Sequence, residues 1–136
     1  MRVVSIAVSL LLLAACGREG TSSPPREAVF QVRVCDGSLQ APQGEVFRIL
    51  LQDQPLIQEA TALLATGGTH MVSGFVRAGD GGFNAPWSWH MDPASIAFPD
   101  VAAEICGSCP SFVENHLSSW LSVQFCPIGE VIARER

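Results

Sequence analysis

The stretch Gly74-Phe75-Val76-Arg77-Ala78-Gly79-Asp80-Gly81-Gly82-Phe83-Asn84-Ala85-Pro86-Trp87-Ser88-Trp89-His90-Met91-Asp92-Pro93 reads as strand, glycine-rich loop, strand. It holds two of the three Trp and four of the twelve Gly, so large apolar side chains and backbone freedom are concentrated together. His70 to Ala78 suits the incoming strand, Gly79 to Pro86 the loop, and Trp87 to Met91 the returning strand. Side chains alternate across a strand, which puts Trp87, Trp89 and Met91 on one side and Ser88, His90 and Asp92 on the other. Alternating Trp bury large apolar area and are read as core. A His and an Asp two apart on one face suit acid–base work or metal ligation. The plainer reading has Asp92 capping the Pro93 turn and His90 bonded to backbone. Phe83 finds no core partner by spacing, so it is a contact candidate, together with Asn84, His90 and Asp92. Asp80 and Asn84 lack the alternating acids and closing Glu of a calcium loop. No metal and no cofactor are therefore expected, and the glycines are read as hairpin-loop backbone.

Outward from this block, Ala28 to Cys35 alternates with Phe30, Val32 and Val34 on one face, which predicts a strand. Glu45 to Leu51 predicts a second, across turn residues at Asp36-Gly37-Ser38 and Ala41-Pro42-Gln43-Gly44. Asp53 stands where a helix cap belongs and Pro55 in the first turn. Leu56, Ile57, Ala60, Leu63 and Leu64 follow at helical spacing until Gly67-Gly68. Val101 to Cys106 suggests a strand. Pro110 to Leu121 suggests a second helix with Phe112, Val113, His116, Leu117, Trp120 and Leu121 buried. Ser122 to Phe125 and Glu130 to Ala133 close the chain as short strands. The expected fold is one small α+β domain, a mainly antiparallel sheet with two helices, braced by disulfides.

The N-terminal end carries a different signal. Arg2 precedes an apolar run from Val3 to Leu13, shorter than the roughly 20 residues a spanning helix needs and proportioned like an export signal. Leu13-Ala14-Ala15-Cys16 then resembles the bacterial lipobox, which implies a signal peptide over 1–15 and lipidation (diacylglycerol and palmitate-type acyl chains) of Cys16. Gly17, not Asp, follows the cysteine, and in the sorting rule for such lipoproteins this points to the outer membrane of the cell envelope. Residues 16–27 are the lipidated Cys and a Gly-, Ser- and Pro-rich tether, and 28–136 the globular domain. Without the signal the chain carries seven Arg, no Lys and thirteen acids, a net charge of −6. No basic stripe exists, which argues against nucleic acid as a partner. Cys35, Cys106, Cys109 and Cys126 remain, an even number that in an exported domain reads as two disulfides with three possible connectivities. Cys106-Gly107-Ser108-Cys109 also has the spacing of a thiol–disulfide redox motif at a helix start, though the surrounding βαβ units are missing.

Gly74, Phe83-Asn84, Trp87-Ser88-Trp89-His90-Met91-Asp92-Pro93, Ser95-Ile96-Ala97-Phe98, Glu104-Ile105-Cys106, Val113-Glu114 and Cys126-Pro127 form an ordered string. It resembles the family of small exported domains named for the N-terminal region of the slime-mould protein BP-seventy-four. The resemblance implies a compact α+β fold and export, and brings no established reaction. Its paired cysteine positions correspond to Cys106 and Cys126, which leaves Cys35 and Cys109 as an additional pair. The chain departs from the family pattern at Gly107, where an aspartate is usual, and at Phe125 and Ile128, where tryptophans are common.

No nucleophile elbow, phosphate loop or informative carboxylate pair is present. The expected function is therefore a non-enzymatic binding or interaction module anchored to the envelope, with protease inhibition as one form. It would meet a protein or an envelope polymer through the 79–92 region. The alternative is a small extracytoplasmic enzyme or redox protein using His90 and Asp92, or Cys106 and Cys109. Glu104 would join the first set only if its strand lay beside Trp87 to Met91.

Overall fold

In the computed structural model, the residues described are 26–39, 41–101 and 106–135. The signal segment, Cys16, most of the tether and Glu104 lie outside them.

β1 (Ala28–Asp36) and β2 (Gln43–Leu51) form an antiparallel pair from Ala28 opposite Leu51 to Asp36 opposite Gln43. The alternation of β1 has its expected effect: Phe30, Val32 and Val34 are buried, while Gln31 and Arg33 are half-buried on the other face. β7 (Ile128–Arg134) pairs with the opposite edge of β1, with a bulge between Gln31 and Val32. β3 (His70–Met71) adds a short antiparallel edge to β7, giving the order β2-β1-β7-β3. A second sheet has the order β5-β4-β6, from β4 (Gly74–Ala78), β5 (Trp89–Met91) and β6 (Gln124–Phe125).

The two sheets share two chain segments. His70 to Ala78 leaves the first sheet as β3 and enters the second as β4; Gln124 to Arg134 does the reverse as β6 and β7. The crossing is held where the Val72 N–H donates to the Pro127 carbonyl at 3.0 Å. The single strand expected over 70–78 is thus broken at Val72-Ser73. Opposite the break stands Pro127, which has no N–H to donate to a continuous ladder. Strands that switch sheets in this way build the corner between two packed layers.

α1 (Gln54–Thr66) covers the large sheet, with Ile57 and Ala60 buried and Leu56, Leu63 and Leu64 against the core. Asp53 occupies the cap position, but its side chain makes no cap bond there. The second predicted helix is two helices, α2 (Pro110–Asn115) and α3 (Leu117–Trp120). His116 divides them: its backbone is non-helical, and both its N–H and its Nδ1 turn to the Phe112 carbonyl. The expected apolar stripe is corrected accordingly. Val113 is buried and Leu117 and Trp120 are half-buried, but Phe112, His116 and Leu121 are exposed. Most of the segment expected as a strand over 101–106 lies outside the described residues.

The core joins both sheets through aromatic contacts. Trp89 is fully buried, 5.8 Å from Phe47 and 5.5 Å from Phe125 between ring centroids. Its indole N–H is buried and has no hydrogen-bond partner among the described residues. Cys35 is bonded to Cys109, and Cys106 to Cys126, with Cα separations of 5.9 and 5.1 Å. The first bond ties the end of β1 to the start of α2; the second ties the chain entering α2 to the crossing beside Pro127.

Candidate functional site

The site is built on β4 and β5, whose register sets Val76 against Met91, Arg77 against His90 and Ala78 against Trp89. Val76, Trp89 and Met91 point into the core. Phe75, Arg77, His90 and Asp92 therefore share the outer face of the small sheet.

The loop between these strands is braced from several sides. Gly79 N–H donates to the Ser88 carbonyl at 2.7 Å, closing it at the base. Asp80 Oδ1 accepts from the Gly82 N–H, and the Asp80 carbonyl from the Asn84 N–H, both at 2.9 Å. Gly81 has a φ of +64°, and a Cβ there would stand 2.7 Å from Phe83 Cε1 and 2.9 Å from His90 Cγ. Only glycine lets both rings close over the loop. Phe83 meets His90 edge to face at 5.6 Å, a favoured arrangement for aromatic rings. His90 Nδ1 lies 2.6 Å from the Gly79 carbonyl. A carbonyl only accepts, so Nδ1 carries the proton and Nε2 is the remaining ring nitrogen.

Asn84 is corrected from a contact residue to an internal strut, because it is fully buried. Its Oδ1 accepts from the Arg48 N–H at 2.6 Å and its Nδ2 donates to the Trp89 carbonyl at 2.8 Å. Arg48 Nη1 also donates to the Ala85 carbonyl at 2.8 Å, and Trp87 Nε1 to the Val46 carbonyl at 2.8 Å. The expected strand begins at Trp89 because Trp87 and Ser88 are drawn to other partners. Trp87 reaches β2, while the Ser88 N–H and Oγ both donate to the Glu114 carboxylate of α2, at 2.9 and 2.7 Å. A similar clasp holds the start of α2, where Glu45 accepts from the Ser111 N–H and Oγ.

Asp92 is engaged in full. Its Oδ2 accepts from Arg77 Nε and Nη2 at 3.1 and 2.9 Å, and its Oδ1 from the Ala94 N–H at 3.1 Å, capping a 3-10 turn over Pro93–Ser95. The Arg77 hydrogen bonds, then the Ala94 N–H, hold the Asp92 carboxyl below its ordinary pKa of 3.8. A carboxylate so stabilised is a poor proton acceptor, and its geometry is that of a brace.

Sequence reasoning missed Arg77, whose Nη1 also reaches Ser122 Oγ at 3.0 Å. Its alternation with buried Val76 was the available signal. It missed the apolar neighbours too: Phe75 is 43% exposed, Leu121 41% and Val123 45%. Leu121 and Val123 border β4 because the chain from 121 to 123 bonds to Val76 on both its N–H and its carbonyl. The bonding roles of Glu45 and Glu114 gave no sequence signal, although Glu114 stands in the ordered string, since their partners are 66 and 26 residues away. Cys106 and Cys109 are each bonded to another cysteine rather than to each other. Among the described residues no group of three or more His, Cys, Asp and Glu gathers as a metal site, and no helix is long and apolar enough to cross a membrane.

No curated protein and no solved structure matches the chain. A family model does, over residues 26–136, a span that includes both sheets, the helices and the braced loop. The chain belongs to the BP-seventy-four N-terminal domain family.

Proposed function

We propose that the protein is an envelope-anchored interaction module, without catalysis of its own, that binds a partner protein through the outer face of the small sheet. The observation that carries this reading is the juxtaposition of a rigid loop with an apolar border. Phe75, Leu121 and Val123 are each more than two-fifths exposed. Beside them lie the Arg77–Asp92 ion pair and the Phe83–His90 ring pair. An apolar centre with a charged rim is the anatomy of a protein interface, and aliphatic Leu121 and Val123 suit a protein better than a sugar. A loop already fixed by internal hydrogen bonds loses little entropy on binding, which favours affinity. The anchor would be Cys16, with residues 17–27 as the tether holding the domain off an outer membrane.

The test is cross-linking from a photoreactive residue at position 83 in the native envelope, with Phe75→Ser and Val123→Ser variants alongside. A discrete protein adduct, lost in both variants while the denaturation midpoint stays unchanged, is the expected result. Adducts only to glycan would replace a protein partner by a polymer. No adduct above that from a photoreactive residue at Glu27 would refute the interface.

A further inference from the structure

Three elements remote in sequence meet at the end of β4 opposite the loop. α1 presents Glu59 and Leu63, one turn apart on one helix face. β3 brings His70 and Met71. The chain beyond the Ser73–Ala97 bridge brings Phe98 and Asp100. β3 is only two residues long before the chain crosses to the other sheet, and Gly67-Gly68 ends α1 just ahead of it. The space left between helix and crossing is an open concavity of about 490 Å³ lined by these side chains. That is within the range of small-molecule sites, which combine an apolar lining with a few convergent polar groups.

The charges choose the ligand. Leu63, Met71 and Phe98 are half-buried and form the apolar wall. Glu59 and Asp100 are exposed at the same concavity, and neither forms an ion pair among the described residues. Among the described residues no arginine lines it. Two uncompensated carboxylates repel an anion, give nothing to a neutral hydrocarbon, and attract a cation that also has apolar surface. His70 adds a ring nitrogen at the same opening, able in its neutral form to accept an ammonium N–H. We propose that this concavity binds a small organic amine. Its ammonium group lies between Glu59 and Asp100, and its apolar body covers Leu63, Met71 and Phe98. The site shares no residue with the interface proposed above, so either stands if the other falls.

Methionine supplies the probe. Met71 lines the concavity and Met91 is fully buried in the core, so one side chain reports and the other serves as reference. The full chain, labelled with ¹³C at the methionine methyl groups, is titrated with phenethylamine and separately with 2-phenylethanol, its neutral counterpart. The expected result is a saturable shift of the Met71 methyl with the amine while Met91 stays in place, and about tenfold weaker binding of the alcohol. The double variant Glu59→Gln/Asp100→Asn should reduce the amine to the level of the alcohol, two exposed charge contacts together contributing about a factor of ten. Neither carboxylate has a partner among the described residues, so this variant keeps the fold, as an unmoved Met91 signal would verify. An unshifted Met71, equal binding of amine and alcohol, or undiminished amine binding by the double variant would each overturn the assignment.

Discussion

At the scale of single residues, two side chains in the Trp-rich block have roles set by what they touch. Asn84 satisfies the Arg48 N–H and the Trp89 carbonyl from a position closed to water. Asn84→Ala would strand two polar groups of the protein interior, at a cost of about 2–4 kcal/mol, measurable as a lower urea midpoint with an unchanged slope. Asn84→Asp should cost at least as much, because the second carboxylate oxygen cannot donate to the Trp89 carbonyl. Asp92 acts through charge instead. Its folded pKa lies below the unfolded value of 3.8 owing to Arg77 and the Ala94 N–H. Its contribution to stability is therefore present above the unfolded pKa and lost as the pH falls through the folded one. Stability measured from pH 7 downward should separate wild type from Asp92→Asn near neutrality. The two curves should converge at pH values below 3.8. A gap that persisted unchanged into that acid range would show that the carboxylate's charge contributes nothing.

At the scale of elements, the weakest tolerance lies where β1 and β7 approach. A Cβ at Gly129 would collide with Val34 Cγ1 and lie 2.5 Å from the Arg33 carbonyl oxygen. Both obstacles belong to β1, an inner strand of the large sheet, so neither yields cheaply. Gly129→Ala should destabilise by about 3 kcal/mol, at the upper end of overpacking costs. Hydrogen exchange should speed up first at β7 and at the β3 edge it carries. A neutral substitution would mean that the two strands separate freely. The same reasoning explains why the sheets are hard to see in one dimension. The alternation of β1 is local and legible. The break between β3 and β4 follows from Pro127, which stands opposite only after the chain has folded. The division of α2 from α3 likewise depends on His116 turning to Phe112, where helical spacing alone predicts one continuous stripe.

At the scale of the whole molecule, the proposed attachment and the proposed interface fall on different sheets. The N-terminal residues lead into β1, and the braced loop belongs to the second sheet. If Cys16 carries the acyl chains, Cys16→Ser should move the protein from the membrane to the soluble fraction while leaving the domain's thermal midpoint unchanged. Each buried methylene contributes about 0.8 kcal/mol to anchoring, so loss of the chains should be close to complete in fractionation. Retention of the variant in the membrane would assign the attachment to something other than the cysteine.

The sequence by itself determined the α+β class, the core strands, the loop and the ordered string that marks the family. All of these depend on side-chain period or on residues that lie close together in the chain. It also separated buried Trp89 and Met91 from outward His90 and Asp92, because strand alternation is a local rule. Tertiary structure decided among the uses the sequence left open to those outward groups. Asp92 is taken up by Arg77 fifteen residues earlier, Asn84 by β2, and Ser88 by Glu114 on a helix. The hairpin register sets Arg77 beside Asp92, and the packing of the loop against β2 and α2 makes the other two pairs, which no local period encodes. The Gly74–Pro93 block thus proved mainly architectural, and the exposed apolar surface joins its own Phe75 to Leu121 and Val123, which only folding brings beside it.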